Sequence, residues 1–171
     1  MSKKADLPLH FKHPLFFKEQ REIKWEKATF GLECDQSYFL HDILYAVGEE
    51  HEQPWKDVKK YLPQVFAKWN EAQSRLYKLF SERKAKEAQP LMIKAIAYFI
   101  SALFWTNHEP VPRLTHLQQD IEKLKYKPIN VYERLAFIIE KPGMYHSFIQ
   151  VGELYTELRK QYAKMLIVYK K

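Results

Sequence analysis

Apolar positions recur at helical intervals along most of the chain. Phe39, Leu40, Ile43, Leu44 and Val47 step by one, three and four, which predicts a helix over Ser37 to Val47. Asp35 or Ser37 is placed to cap its start, and Gly48 to take the left-handed position at its end. Pro54 suits the first turn of a long helical element reaching Lys86. Pro63 is expected to kink or break that element, because it lacks the N–H for a bond four residues back. Beyond Pro63, the stripe Val65, Trp69, Ala72, Leu76 and Leu79 alternates steps of four and three. That is the seam of a packed helix, with Phe66 and Phe80 beside it.

The stretch from Leu91 to Trp105 is apolar nearly all round, broken only by a narrow stripe of Lys94, Tyr98 and Ser101. A helix with that pattern belongs at the centre of a bundle. Pro90 is expected to start it, and Pro110 and Pro112 to stop it. Thr115 with Gln118, Asn130 with Glu133 and Ser147 with Gln150 have the spacing of capping boxes. They predict helices from Thr115 to Lys125, from Asn130 to Glu140, and from Ser147 towards the C-terminus. The last carries one stripe, Phe148, Val151, Leu154, Leu158, Tyr162 and Met165, and Gly152 within it signals close helix packing. Pro142 and Gly143 fit the central pair of a type II turn. Residues 1–13 read as a mobile N-terminal arm, with Pro14 opening a short turn through Lys18. No run of alternating β-branched residues stands out. The expected fold is all-α: a single helical domain over residues 1–171, a bundle of six or seven helices around Pro90 to Asn107.

Composition supports a packed core, since 46% of the chain is hydrophobic and 15% aromatic, the opposite of a disordered sequence. The 15 residues from Leu91 to Trp105 fall short of the roughly 20 that a membrane span needs, so the stretch is expected to be core and no membrane is expected as partner. The N-terminal residues lack an apolar run and a small-residue cleavage site, which argues against a secretory signal. The single Cys34 cannot form an internal disulfide. A cytoplasmic location follows as the expectation.

Charge is uneven. Residues 31–54 hold six acids and no Lys or Arg, whereas residues 55–86 hold nine bases and three acids. The acidic segment contains His41, Asp42, Glu49, Glu50 and His51, all metal-ligand types. Neither Glu-x-x-His nor His-Glu-x-x-His occurs, so a solvated acidic turn is the expected role. His10 and His13 are also three apart, but within the arm. No nucleophile elbow, Walker A, dinucleotide-binding or Cys-x-x-Cys pattern is present. Cys34 reads as an incidental or buried residue, and no catalytic residue, metal ligand or cofactor is assigned.

On the basic segment, Lys68, Arg75 and Lys78 fall away from the apolar seam, and Lys59 and Lys60 extend them upstream. These five are the candidates for contact with a polyanion. Trp105, Asn107, His108, Tyr145 and His146 sit at two helix ends and are candidates for a partner groove, although helix ends demand the same residue types.

"ALFWTNHEPV" at Ala102 to Val111 and "YHSFIQVGELYTELRKQYAK" at Tyr145 to Lys164 resemble the YpoC-like proteins of Bacillus-type bacteria. The resemblance implies a small cytosolic helical protein and carries no functional residue across. The expected function is a non-enzymatic binding or regulatory module, with a protein partner ahead of nucleic acid. The alternative is a metal-dependent or hydrolytic enzyme built on the acidic segment from His41 to His51.

Overall fold

The computed structural model describes residues 3–26, 37–49 and 51–169. Seven α-helices account for most of these residues: α1 (Pro14–Phe17), α2 (Leu40–Ala46), α3 (Val58–Ser81), α4 (Ala85–Thr106), α5 (Leu117–Glu122), α6 (Val131–Glu140) and α7 (Tyr145–Tyr169). The fold is all-α in class. One small exception is a two-stranded antiparallel ribbon, β1 (Lys3–Asp6) with β2 (Glu22–Trp25), in which Lys3 faces Trp25 and Asp6 faces Glu22. Its sequence signal is only four residues long: Ile23 and Trp25 turn inward and Lys24 outward.

The two longest early helices, α3 and α4, form a hairpin joined by a turn in which Arg83 takes a left-handed conformation at φ 60°. The seam expected for α3 is the buried one, with Val65, Trp69 and Leu76 inside and Ala72 and Leu79 half-buried. Pro63 does not break it. It is the sixth residue of α3, and Pro90 is the sixth residue of α4, which therefore starts five residues before the proline expected to open it. Each proline removes one bond, to the carbonyl of Lys59 or Lys86. Lys59 and Lys86 are both exposed, so water can satisfy each carbonyl.

α4 is buried nearly all round, as its composition predicts, and Ser101 is inside as well. At 22 residues it is long and apolar enough to cross a membrane, although 67% of its apolar window is covered by the rest of the protein. α7 packs on both α3 and α4, and α6 packs on α7. Gly152 sets α7 close against α3: a Cβ there would lie 3.3 Å from Gln73 Nε2 and 3.6 Å from Trp69 Cζ2.

The ends of the helices differ from the sequence reading in instructive ways. α2 begins at Leu40, after Phe39 in a left-handed conformation, and Ser37 makes no cap; Asp35 lies outside the described residues. Gly48 does take the left-handed position, at φ 77°. α5 starts at Leu117, and Thr115 turns its hydroxyl to His116 instead of capping. Asn130 is the N-cap residue of α6 but makes no side-chain cap bond. Ser147 is already inside α7, donating its hydroxyl to the Lys141 carbonyl. The turn at 141–144 is closed by Met144 N–H to Lys141 O at 3.3 Å, but Gly143 is not left-handed, so the turn is not type II.

The described part of the arm packs onto the rest of the fold. Leu7 and Phe11 are buried, and the Leu114 N–H donates to the His10 carbonyl at 2.7 Å. His13 caps α1 by accepting from Leu15 N–H, and burial lowers its pKa, which keeps the accepting nitrogen unprotonated. Just past the arm, in α1, Phe16 packs edge-on against Phe39 at 5.2 Å.

Candidate functional site

Two sites stand out. The first is a cleft of about 130 Å³ between α3 and α4. Its floor is aromatic: Trp69 and Tyr155 stack at 4.7 Å with planes 6° apart. Tyr155 is locked in turn, donating its hydroxyl to the Ala95 carbonyl at 2.7 Å while Phe99 meets its ring edge-on. Burial raises the Tyr155 pKa well above the usual value, so this hydroxyl stays a donor. The cleft's remaining apolar lining is Val65, Ala72 and Leu91. Three cations also line it, Lys68 and Arg75 from α3 and Lys94 from α4, with Glu71 the lone acid. The Lys68 ammonium lies 5.8 Å from the centre of the Tyr98 ring, a cation–π distance that holds the charge over the cleft wall.

The second site is a buried polar centre where α2 meets the end of α4. The Asp42 Oδ1 accepts from the Trp105 indole N–H at 3.0 Å and from the Val111 N–H at 2.7 Å. Among the described residues no group completes a hydrogen bond to its Oδ2, which lies beside a space of about 10 Å³, near what a single water needs. Burial raises the Asp42 pKa to about 7, against the opposing pull of Val111, Trp105, its own backbone and the Ser101 side chain. His41, also buried, is flanked edge-on by Tyr61 at 6.2 Å and Trp105 at 6.3 Å.

The profile of the YpoC-like protein family matches residues 59–170, about two thirds of the chain. The chain belongs to the YpoC-like family. It is similar to the "Uncharacterized protein YpoC" of Bacillus subtilis (strain 168), being 40% identical over 111 residues that span 65% of this chain and 68% of that protein. No solved structure matches the chain. The YpoC-like stretch contains every residue of the α3–α4 cleft, whereas Asp42 and α2 lie before it.

Within that stretch the structure divides the residues singled out from sequence. Lys68 and Arg75 meet in the cleft. Lys60 and Lys78 are exposed on the same side of α3, by the helical phase of about 100° per residue. Lys59, nine residues or about two and a half turns before Lys68, is on the other side. Lys94 was missed among the charges, and its signal was a lone lysine in an apolar helix.

The five candidates for a partner groove do not share one. His108 packs on Tyr169 at 4.5 Å, whereas Tyr145 starts α7 and packs on Phe80. The two sets are therefore separated by the length of a 25-residue helix, about 36 Å. Trp105 is core, and Asn107 is saturated. Its Nδ2 donates to the carbonyls of Leu103 and Tyr126, and its Oδ1 accepts from Lys125 and Tyr126 N–H.

Nor does the acidic segment converge. His41 and Asp42 are in the core, Glu49 is on an exposed turn, and His51 packs against Tyr45 and Trp55. Glu50 and Cys34 lie outside the described residues. Among the described residues, no three of His, Cys, Asp and Glu gather as a metal site.

Proposed function

We propose that this YpoC-like protein is a cytoplasmic, non-enzymatic binding module that engages an acidic surface of a protein partner along α3. One observation supports the reading. Lys60, Lys68, Arg75 and Lys78 run along about 27 Å of one helix, within a stripe about a quarter-turn wide. Among the described residues none of these four is in an ion pair, and Glu71 is the one acid in that length of chain. A rigid helix bearing unmatched cations presents a fixed charge pattern, which steers encounter and sets register with a complementary acidic surface. The aromatic-floored cleft beside the line favours protein over nucleic acid, because it offers a socket for one side chain rather than a track for successive phosphates.

The same cations would also neutralise phosphates, so nucleic acid is the second reading. A labelled acidic peptide and a DNA duplex, each titrated over a range of salt into wild type and a Lys68→Glu/Arg75→Glu variant, separate the two. The expected result is peptide binding that the variant loses. Duplex binding whose log–log salt slope flattens by about two units in the variant would favour the nucleic-acid reading instead. Equal binding by wild type and variant would reduce the line to a solvated surface.

A further inference from the structure

We propose that the cleft between α3 and α4 is a binding site for a flat ring carrying a phosphate or carboxylate, an inference that rests on the reading of α3 as an anion-facing helix. Size comes first. At about 130 Å³ the cleft is close to the roughly 150 Å³ of an engineered cavity that takes benzene, so its volume suits one ring. Shape comes next. The floor is the Trp69–Tyr155 stack, held by the Tyr155 hydrogen bond to Ala95 across to α4. A floor pinned to three helices does not collapse when the cleft empties, which is the preorganisation that tight binding of a small group requires.

Charge then selects the substituent. A neutral ring would leave Lys68 and Arg75 facing an apolar ligand without an anion. A bare phosphate would leave the half-buried Ala72, Leu91 and Tyr98 of the cleft lining facing water. Only a ligand with both parts uses the whole cleft, with Arg75 offering the planar fork that suits phosphate and carboxylate. Lys68, placed over Tyr98, adds a point charge. The ring arrives either as a free small molecule or on an anionic aromatic side chain of the partner. The chemistry of recognition is the same in both cases.

The test is calorimetric titration of the full chain with phenyl phosphate, with inorganic phosphate and phenol as its two halves. Phenyl phosphate is expected to bind at least about tenfold more tightly than either half, the worth of one modest added contact. Ala72→Leu should fill the cleft while keeping its cations, and bring phenyl phosphate down to the level of inorganic phosphate. Lys68→Gln/Arg75→Gln should bring it down to the level of phenol. Both variants are first checked for an unchanged helical spectrum, and the second alters only the outward side of α3, so at least one informative variant folds. A phosphotyrosine peptide that binds more tightly than phenyl phosphate places the ring on a partner chain; one that binds no more tightly makes it a free small molecule. Phenyl phosphate binding no better than inorganic phosphate, or binding to folded Ala72→Leu as to wild type, overturns the proposal. In either of those cases, acidic-peptide binding that still depends on Lys68 and Arg75 would leave the reading of α3 standing on its own.

Discussion

Asp42 should make the protein lose stability as pH rises through the neutral range. Its folded pKa, about 7, is above the ordinary 3.8. Between those values the folded protein keeps a proton that the unfolded chain has released, so the folded state binds more protons and stability falls with rising pH. The difference of about three units, at about 1.4 kcal/mol per unit, is on the order of 4 kcal/mol once both states are ionised. About 3 kcal/mol of that is lost between about pH 5 and pH 8. His13 acts in the opposite sense, since its pKa is lowered and its contribution is lost as pH falls. The measurement is therefore a difference, between wild type and Asp42→Asn, in urea-unfolding free energy from about pH 5 to pH 8. The amide keeps an oxygen for Trp105 and Val111 and does not titrate, so it stands in for the protonated acid. Wild type should fall by about 3 kcal/mol relative to the variant across that range. A flat difference would mean that Asp42 does not titrate there. The two hydrogen bonds to Oδ1 would then outweigh burial and hold the carboxylate ionised in the folded state, as it is in the unfolded chain.

Asn107→Ala should destabilise by about 2–4 kcal/mol, because four hydrogen bonds worth about 1 kcal/mol each go together and leave the turn at 125–126 unpaired; a urea midpoint shift checks it. Gly152→Ala should be neutral or stabilising by up to about 1 kcal/mol, because the nearest obstacle, 3.3 Å away, is the flexible end of Gln73; a midpoint lowered by more than the experimental error would show that Gln73 cannot yield. Arg134→Ala should cost about 1–2 kcal/mol through loss of its bonds to Gln150, the Ile129 carbonyl and Glu157, and much of that loss should persist in high salt because the first two partners are uncharged.

Periodicity served well where burial follows a single helix. The α3 seam and the nearly all-round burial of α4 are local patterns, and both are found in the fold. Helix starts were less legible, because a proline at the first turn and one at the sixth residue look alike in sequence. What decides is whether the carbonyl it abandons faces water, and that is a tertiary fact. The ribbon was missed because only two inward residues, Ile23 and Trp25, mark β2. Half of the cleft was legible as a phase on α3, and Lys94 was not, because helical phase relates residues on one helix and says nothing of what a second brings opposite. Asp42 is the extreme case. Its partners are 63 and 69 residues away, so an acid in an acidic segment gave no sign that it is the best-buried carboxylate among the described residues.

The matched prolines have unequal consequences. Each detaches the first turn of its helix from the hydrogen-bond ladder by one rung. In α3 that turn is held by side chains, since Val58, Tyr61 and Leu62 are buried. In α4 the corresponding turn, residues 85–89, keeps only Ala88 inside. Local opening is governed by the apolar contacts that must be broken, so amide exchange should be slow at the start of α3 and fast at the start of α4. Leu91 and Lys94 stand just beyond that loosely held turn, and Lys68 and Arg75 stand well inside a firmly held helix. The looseness stops at the edge of the cleft, because Met92, Ala95 and Ile96 are buried beside Leu91 and Lys94, so fast exchange should end there and both walls should stay in place when the cleft is empty.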